Sequence, residues 1–298
     1  MTERSEVIGR FGTFPPGRRP AERGGALDDF HTGATASFWR VMAIARRHAY
    51  VFQRSPHRLF DVVVWPAVDV VLFGSIGVFA AGRAGTAASQ VALYLLVGVV
   101  LWHVVYQAQI ALATGFLEET WSRSVMSLMV TPMREWEYVA GVALFGMVKL
   151  VLGVGAVALI AWLAYAFSIT SMGLGLLPVA ALLLAVGWAI ALFVIGLVLR
   201  FGNGAEALAW GILFVVMPLS GTFYPVTALP GLLRPIGEAL PTTHAFAAGR
   251  EFARGGPMPW HELGVAAIGT AVMLVLGLVY LGWMLRVFRA RGLVTRYS

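Results

Sequence analysis

Long apolar segments alternate with short polar ones along most of this chain. The apolar stretches run roughly Leu59–Ala81, Val91–Ala113, Val139–Phe167, Leu174–Leu199, Ala205–Tyr224 and Leu263–Leu285. At about 1.5 Å of rise per residue, each is long enough as a helix to cross about 30 Å of hydrocarbon. None alternates with the period of two that a membrane barrel requires. The pattern predicts an all-α membrane protein with six transmembrane helices, spans one to six.

The polar segments predict the rest of the architecture. Residues 1–37 are rich in Gly, Pro and Arg and lack apolar periodicity, so they are expected to form a disordered tail. Across 38–58, Phe38, Val41, Met42, Ala45, Ala49 and Phe52 recur near helical spacing, with Arg40, Arg46, Arg47 and Arg54 interleaved. That fits an amphipathic helix on an anionic membrane surface, or an ordinary helix packed on a partner. Residues 225–261 carry six prolines around two short apolar pieces, Leu229–Leu240 and Thr243–Phe252. Neither can cross alone, so two short re-entrant or interfacial helices are expected. Residues 286–298 form a basic C-terminal tail.

Composition sharpens the class. The chain of 298 residues is 59% hydrophobic and 12% charged, with a mean hydropathy of +0.78. It has no cysteine, which excludes disulfides, thiolate metal sites and cysteine nucleophiles. The net charge of +7 rests on basic residues that flank apolar segments, the pattern of membrane orientation and not of nucleic-acid binding. Seventeen of the 22 basic residues fall on the side of the two termini, against four on the other; Lys149 lies within a span. The bias predicts a multi-pass protein with both termini in the cytosol.

One polar island, Phe116–Tyr138, stands apart after span two. It holds Glu118, Glu119, Arg123, Arg134, Glu135 and Glu137. Leu117, Trp121, Val125, Leu128 and Met129 share one helical face, while Glu118, Glu119, Ser122 and Arg123 take the other. Glu119 and Arg123 have i,i+4 spacing. Thr131-Pro132 ends the pattern, because the residue before proline avoids the helical region. The expected element is an amphipathic helix over Leu117–Val130 on the cytosolic side, serving as an interfacial anchor or as a partner contact.

Catalytic motifs are missing. A P-loop needs Gly-Lys followed by Ser or Thr, and the single lysine follows Val148. No serine sits in a G-x-S-x-G elbow, and His261-Glu262 has no second histidine four residues on. The chain is therefore expected to bind no cofactor and to be a passage or scaffold.

Three motifs together resemble a family. LEETWSRSVMSLMVTPM follows span two, SGTFYPV begins the Ser220–Pro230 segment, and LPTTH occupies Leu240–His244. In order, spacing and topology the chain from Phe38 onward is similar to the membrane subunit of an ABC type-2 exporter. The resemblance implies that Leu117–Val130 is a coupling helix docking in a groove of a cytosolic ATPase. Leu117, Glu118, Glu119, Trp121 and Arg123 would be its ATPase-coupling residues. It further implies two ATPase copies carrying ATP and magnesium, a second permease subunit in a homodimer, and a place in a bacterial inner membrane. The cargo class would be amphipathic: a drug, a lipid or a lipid-linked glycan moved outward.

Polar and aromatic residues inside the spans are candidates for the substrate pathway. Asp69 in span one and Lys149 in span three lie about ten residues, or about 15 Å, from their span starts. Unpaired charge is costly there, so the two are candidates to pair. Span two carries Tyr94, Trp102 and Tyr106 in an aromatic row, with His103 and Gln107 beside it. Such rows are usually packing. The resemblance implies that spans one, two and five border the path. Phe223 and Tyr224 are expected at the outer interface. Two other classes stay open. A lipid-modifying intramembrane enzyme would have to use His244, Glu251, His261 and Glu262, and an ion-coupled secondary transporter would be expected to show internal repeats.

Overall fold

The computed structural model describes residues 33–83, 85, 88–121, 135–202 and 206–290. Nine α-helices run through them: α1 Ala34–Gln53, α2 Pro56–Ala81, α3 Ala88–Trp121, α4 Glu135–Tyr165, α5 Leu176–Phe201, α6 Glu206–Leu219, α7 Arg234–Ala239, α8 Pro241–Ala253 and α9 Trp260–Ala290. Short 3₁₀ turns lie at Ile169–Gly175 and Val226–Ala228. The described residues contain no strand.

Helices α2, α3, α4, α5 and α9 are each long and apolar enough to cross a bilayer. The expected fifth span is different. α6 has 14 residues, a length of about 21 Å, shorter than the hydrocarbon layer. Its helix stops because Gly221 takes a φ of +67°, a left-handed conformation that glycine adopts without a Cβ penalty. Ser220–Tyr224, apolar enough in sequence to extend the span, form a turn.

The expected single helix over 38–58 is also divided. α1 begins at Ala34, inside the tail expected to be disordered, and ends before Arg54-Ser55. Pro56 then opens α2 at the first helical position, where its missing N–H costs no hydrogen bond. The remainder of the expected tail, 1–32, lies outside the described residues.

The centre of the molecule is α3. Within its apolar stretch 72% of residues are buried, against 17% for α4 and for α9, so α3 is the axis and those two are the rim. It packs against α2, α4, α5 and α8. Val97, Val100, Leu101 and Val105 from α3 meet Val179, Leu183 and Val186 from α5 in one apolar cluster with Phe246 of α8. Gly187 of α5 lies under Ala108 and the Val105 carbonyl of α3, where a Cβ would come within 2.6 and 2.7 Å. Small residues at such crossings let membrane helices approach closely.

α1 runs beside the start of α4 with a repeat of four residues. Arg40 meets Glu137, Ile44 covers Gly141, and His48 stacks on Phe145 at 6.0 Å. The expected apolar face of α1 is thus only partly buried: Ala45 and Phe52 are covered, together with Ile44 and His48, while Phe38 and Met42 are exposed, as is Trp39. Among the two short helices expected after span five, the observed α8 packs on α3, α5 and α9, and its Ala245, Phe246 and Ala248 are fully buried.

Candidate functional site

Polar side chains on α3 face α2, α6 and α8 at successive levels. The first level is set by a proline. Pro66 lies inside α2 and has no N–H to give the carbonyl of Val62, one turn earlier. Gln107 of α3 donates to that carbonyl at 3.2 Å. Gly153 of α4 leaves room for the Gln107 side chain, so α2, α3 and α4 meet here.

One turn further along α3 is His103, its side chain 1% exposed. Its Nδ1 lies 2.8 Å from the Val99 carbonyl, which can only accept, so Nδ1 carries the hydrogen. Nε2 lies 3.4 Å from the Asp69 carboxylate of α2. Asp69 is 41% exposed, so the pair joins a buried base to an open face.

This contact replaces the pair expected between Asp69 and Lys149. Gln107 places Val62 level with Gly153, and Tyr165 of α4 reaches the Val71 carbonyl of α2, so α2 and α4 run side by side in the same direction. Asp69 lies seven residues beyond Val62, and Lys149 four before Gly153. Their depths therefore differ by about 16 Å. Counting residues from the span starts missed this offset, because α4 begins in the polar island. The Lys149 ammonium lies 5.5 Å from the centre of the Phe145 ring.

The aromatic row divides. Trp102 is buried in the apolar cluster and packs. Tyr106 lies between His103 and Trp210 of α6, with ring centres 6.0 and 6.1 Å away. Phe223 stacks on Phe73 of α2 at 3.9 Å, so the turn after α6 is pinned to span one. Tyr224 is half-buried in that turn.

At the α8 end, Tyr94 joins a cluster that the sequence did not single out. Arg250 of α8, 5% exposed, donates through Nη2 to the carbonyls of Gly221 and Thr222, both at 2.8 Å. Its guanidinium lies 3.5 Å over the Tyr94 ring, and the Tyr94 hydroxyl donates to Gly221 at 3.1 Å. Burial pulls the Arg250 pKa down to about 10, with Tyr94 opposing and Arg254 adding to the shift, so the side chain stays cationic at neutral pH. Gly98 of α3 sits directly under the Thr222 carbonyl, and any side chain there would collide with it. Ser220 and Thr242 share a hydrogen bond at 2.6 Å. Together these contacts lock the end of α6 onto α3 and α8. A cleft of about 450 Å³ opens beside them, lined by Tyr94, Thr243, Glu251, Arg254 and Glu262 among others. An arginine directly after the small and apolar run Ala245–Gly249 (AFAAG) was the available signal for this lock.

The residues suggested for an enzyme are only partly brought together. His244 Nδ1 lies 2.6 Å from Glu262, and its Nε2 lies 2.9 Å from the Glu238 carbonyl. Glu251 pairs loosely with Arg254 at 3.8 Å.

At the opposite end, α3 continues without a break through Leu117, Glu118, Glu119 and Trp121. The first part of the expected coupling helix is therefore an extension of span two. Nothing between Ala113 and Trp121 stops a helix except the tolerated Gly115. Arg123 and the Thr131-Pro132 stop lie outside the described residues. After the island, Glu137 is fully buried at the start of α4, and both its oxygens accept from Arg40, at 2.8 Å each. This fork matches guanidinium to carboxylate. Arg40 is thus a tie between α1 and α4, where the sequence suggested a lipid contact.

Long apolar helices around a buried axis, with polar contacts at several of their crossings, define a polytopic α-helical membrane protein. The ABC-2 type transporter family profile matches residues 39–252, and the chain belongs to that family. Membership makes it a membrane-embedded transport subunit. No curated protein matches the chain.

Proposed function

We propose that this chain is the permease subunit of an ATP-driven exporter, energised by ATPase subunits that it binds through the polar island. Family membership supports the transport role. The observation that carries the mechanism is the continuity of α3. One helix of 34 residues holds Glu118 and Glu119 at one end and Tyr94 at the other, with His103 and Gln107 between. A force applied to the island by an ATPase would pass along a helix, with no loop to absorb it. It would reach the Gln107–Val62 contact first, then the Asp69–His103 contact, and the Arg250 lock last.

In this reading α6 and its turn are the moving part on the exit side. α6 packs Trp210, Leu213 and Val216 into the apolar cluster and is fixed at its end by contacts to Arg250, Tyr94 and Phe223. The pathway runs along the α2–α3–α6 crossing past Asp69, His103, Tyr106 and Phe223. Two permease chains and two ATPases form the complex, with ATP and magnesium held by the ATPases. The island faces the cytosol of a bacterial inner membrane, and the cargo is amphipathic.

Glu118→Ala and Arg123→Ala test the proposal. In vesicles, each is expected to lower transport by roughly tenfold while ATP hydrolysis continues, which is the size of a lost coupling interaction. Normal transport per ATP in both variants would reduce the island to an interfacial anchor.

A further inference from the structure

We propose that the cleft beside Arg250 binds a phosphate ester bearing an amine, the headgroup chemistry of an aminophospholipid, with the phosphate between the guanidiniums of Arg250 and Arg254 and the ammonium at Glu251 and Glu262. The inference goes beyond the permease reading and does not rest on it, because it needs only the cleft and its charges.

Arg250 supplies the floor. It is 5% exposed, and no acidic side chain among the described residues pairs with it. Nη2 donates to the carbonyls of Gly221 and Thr222, and Nε donates to the Tyr94 carbonyl at 3.4 Å. Nη1 has no hydrogen bond among the described residues, and Arg250 forms part of the cleft wall. Carbonyl dipoles and a ring face offset a buried cation only in part, and a full negative charge at the remaining nitrogen completes the compensation.

Arg254 follows one turn later, at the end of α8, and lines the same cleft. The two cations are close enough for Arg254 to lower the pKa of Arg250. Arg254 is held loosely. Its Nη1 lies 3.8 Å from the Glu251 carboxylate, beyond hydrogen-bond length, and its side chain is half-exposed at the rim. An oxyanion between the buried guanidinium and the rim guanidinium offsets their mutual repulsion. A phosphate suits this place, because its oxygens can accept from two guanidiniums at once.

A bare anion does not match the rest of the wall. Glu251 and Glu262 line the cleft with the two arginines, so these four side chains carry no net charge. Glu262 accepts from His244 through one oxygen only. A ligand with one charge of each sign keeps the cleft neutral, and its ammonium pairs with the carboxylates. The cleft volume of about 450 Å³ falls within the range of small-molecule sites.

The location suits a lipid. The cleft lies where α8 meets the start of α9, a helix long enough to span a bilayer. Trp260 opens α9 and is exposed, as aromatic rings at span ends commonly are at the membrane interface. Val265, Ile268 and Val272 are exposed on the turns that follow Glu262. A headgroup in the cleft therefore leaves its acyl chains an apolar helix face to run along.

Native mass spectrometry of the full chain, delipidated in mild detergent, tests this. The probes are dihexanoyl phosphatidylethanolamine, dihexanoyl phosphatidylglycerol, which has the phosphate and no amine, and glycerophosphoethanolamine, which has the headgroup and no acyl chains. Wild type is expected to bind the ethanolamine lipid roughly tenfold more tightly than the glycerol lipid. Arg254→Gln is expected to weaken binding of the ethanolamine lipid by roughly tenfold, and Arg254→Lys to recover part of it. Glu251→Gln is expected to narrow the difference between the two lipids, which a purely structural role would not do. Both side chains lie at the rim, outside the Arg250 lock, so the variants are expected to keep the wild-type melting temperature. Weaker binding of glycerophosphoethanolamine supports a lipid as the source, and equal binding supports a soluble phosphoamine. Equal affinity of wild type for the two lipids, or wild-type affinity in the Arg254→Gln chain, would overturn the proposal.

Discussion

Removing the Gln107 amide exposes what a proline leaves behind inside a membrane helix. Pro66 orphans the Val62 carbonyl, and Gln107 is the group that satisfies it. Gln107→Leu is nearly isosteric and keeps the apolar contacts, yet leaves that acceptor unpaired. It is expected to destabilise the chain by about 1–3 kcal/mol, read as a lower melting temperature in detergent. An unchanged melting temperature would mean that water or another donor takes the place of Gln107. Arg250→Ala takes a buried donor from two carbonyls at once, leaving Gly221 only the Tyr94 hydroxyl, and the expected loss is correspondingly larger. At this scale the sequence was only partly legible. Tyr94, His103 and Gln107 stood out because polar groups are rare in spans. Arg250 did not, because its partners are backbone carbonyls, which have no side-chain signature. Asp69 was recognised, but its partner depends on a register set by Pro66, Gln107 and Gly153 across three helices.

Among the elements, α3 carries the mechanical argument, and its continuity can be broken deliberately. Inserting one alanine after Gly115 turns everything beyond it by about 100°. The axis of the molecule would keep its packing while Leu117–Trp121 face a new direction. Transport is expected to fall sharply with little change in melting temperature. Wild-type transport by the insertion variant would show that the helix does not transmit motion. The tie between α1 and α4 makes a second test. Arg40→Ala removes the guanidinium that both Glu137 oxygens accept from, and a clear loss of stability is expected in chemical unfolding. Arg40→Ala combined with Glu137→Gln is expected to recover part of it, because the buried carboxylate charge is gone. No recovery would mean that the ion pair is not what holds α1. The long helices were legible from segment length alone. The end of α6 was not, since apolar composition continues past Ser220 while the backbone turns at Gly221. The α1 boundary was misjudged for a similar reason. Residues 54–58 suit an amphipathic pattern, but Ser55-Pro56 divides it.

For the whole molecule, apolar length and family membership lead to one account. A polytopic permease buries one helix and surrounds it with others, leaving the rim to lipid. Several of its polar contacts sit where that axis crosses α2, α6 and α8, and a charged island lies at the end of the same axis. In the proposed account energy enters from another protein, with the island as its point of entry. That is the central claim, and purification from native membranes in mild detergent tests it most directly. The account predicts that an ATPase purifies with the chain, that the preparation hydrolyses ATP, and that vesicles made from it transport only when ATP is supplied. Transport that persists in vesicles containing the chain but no ATPase would contradict it.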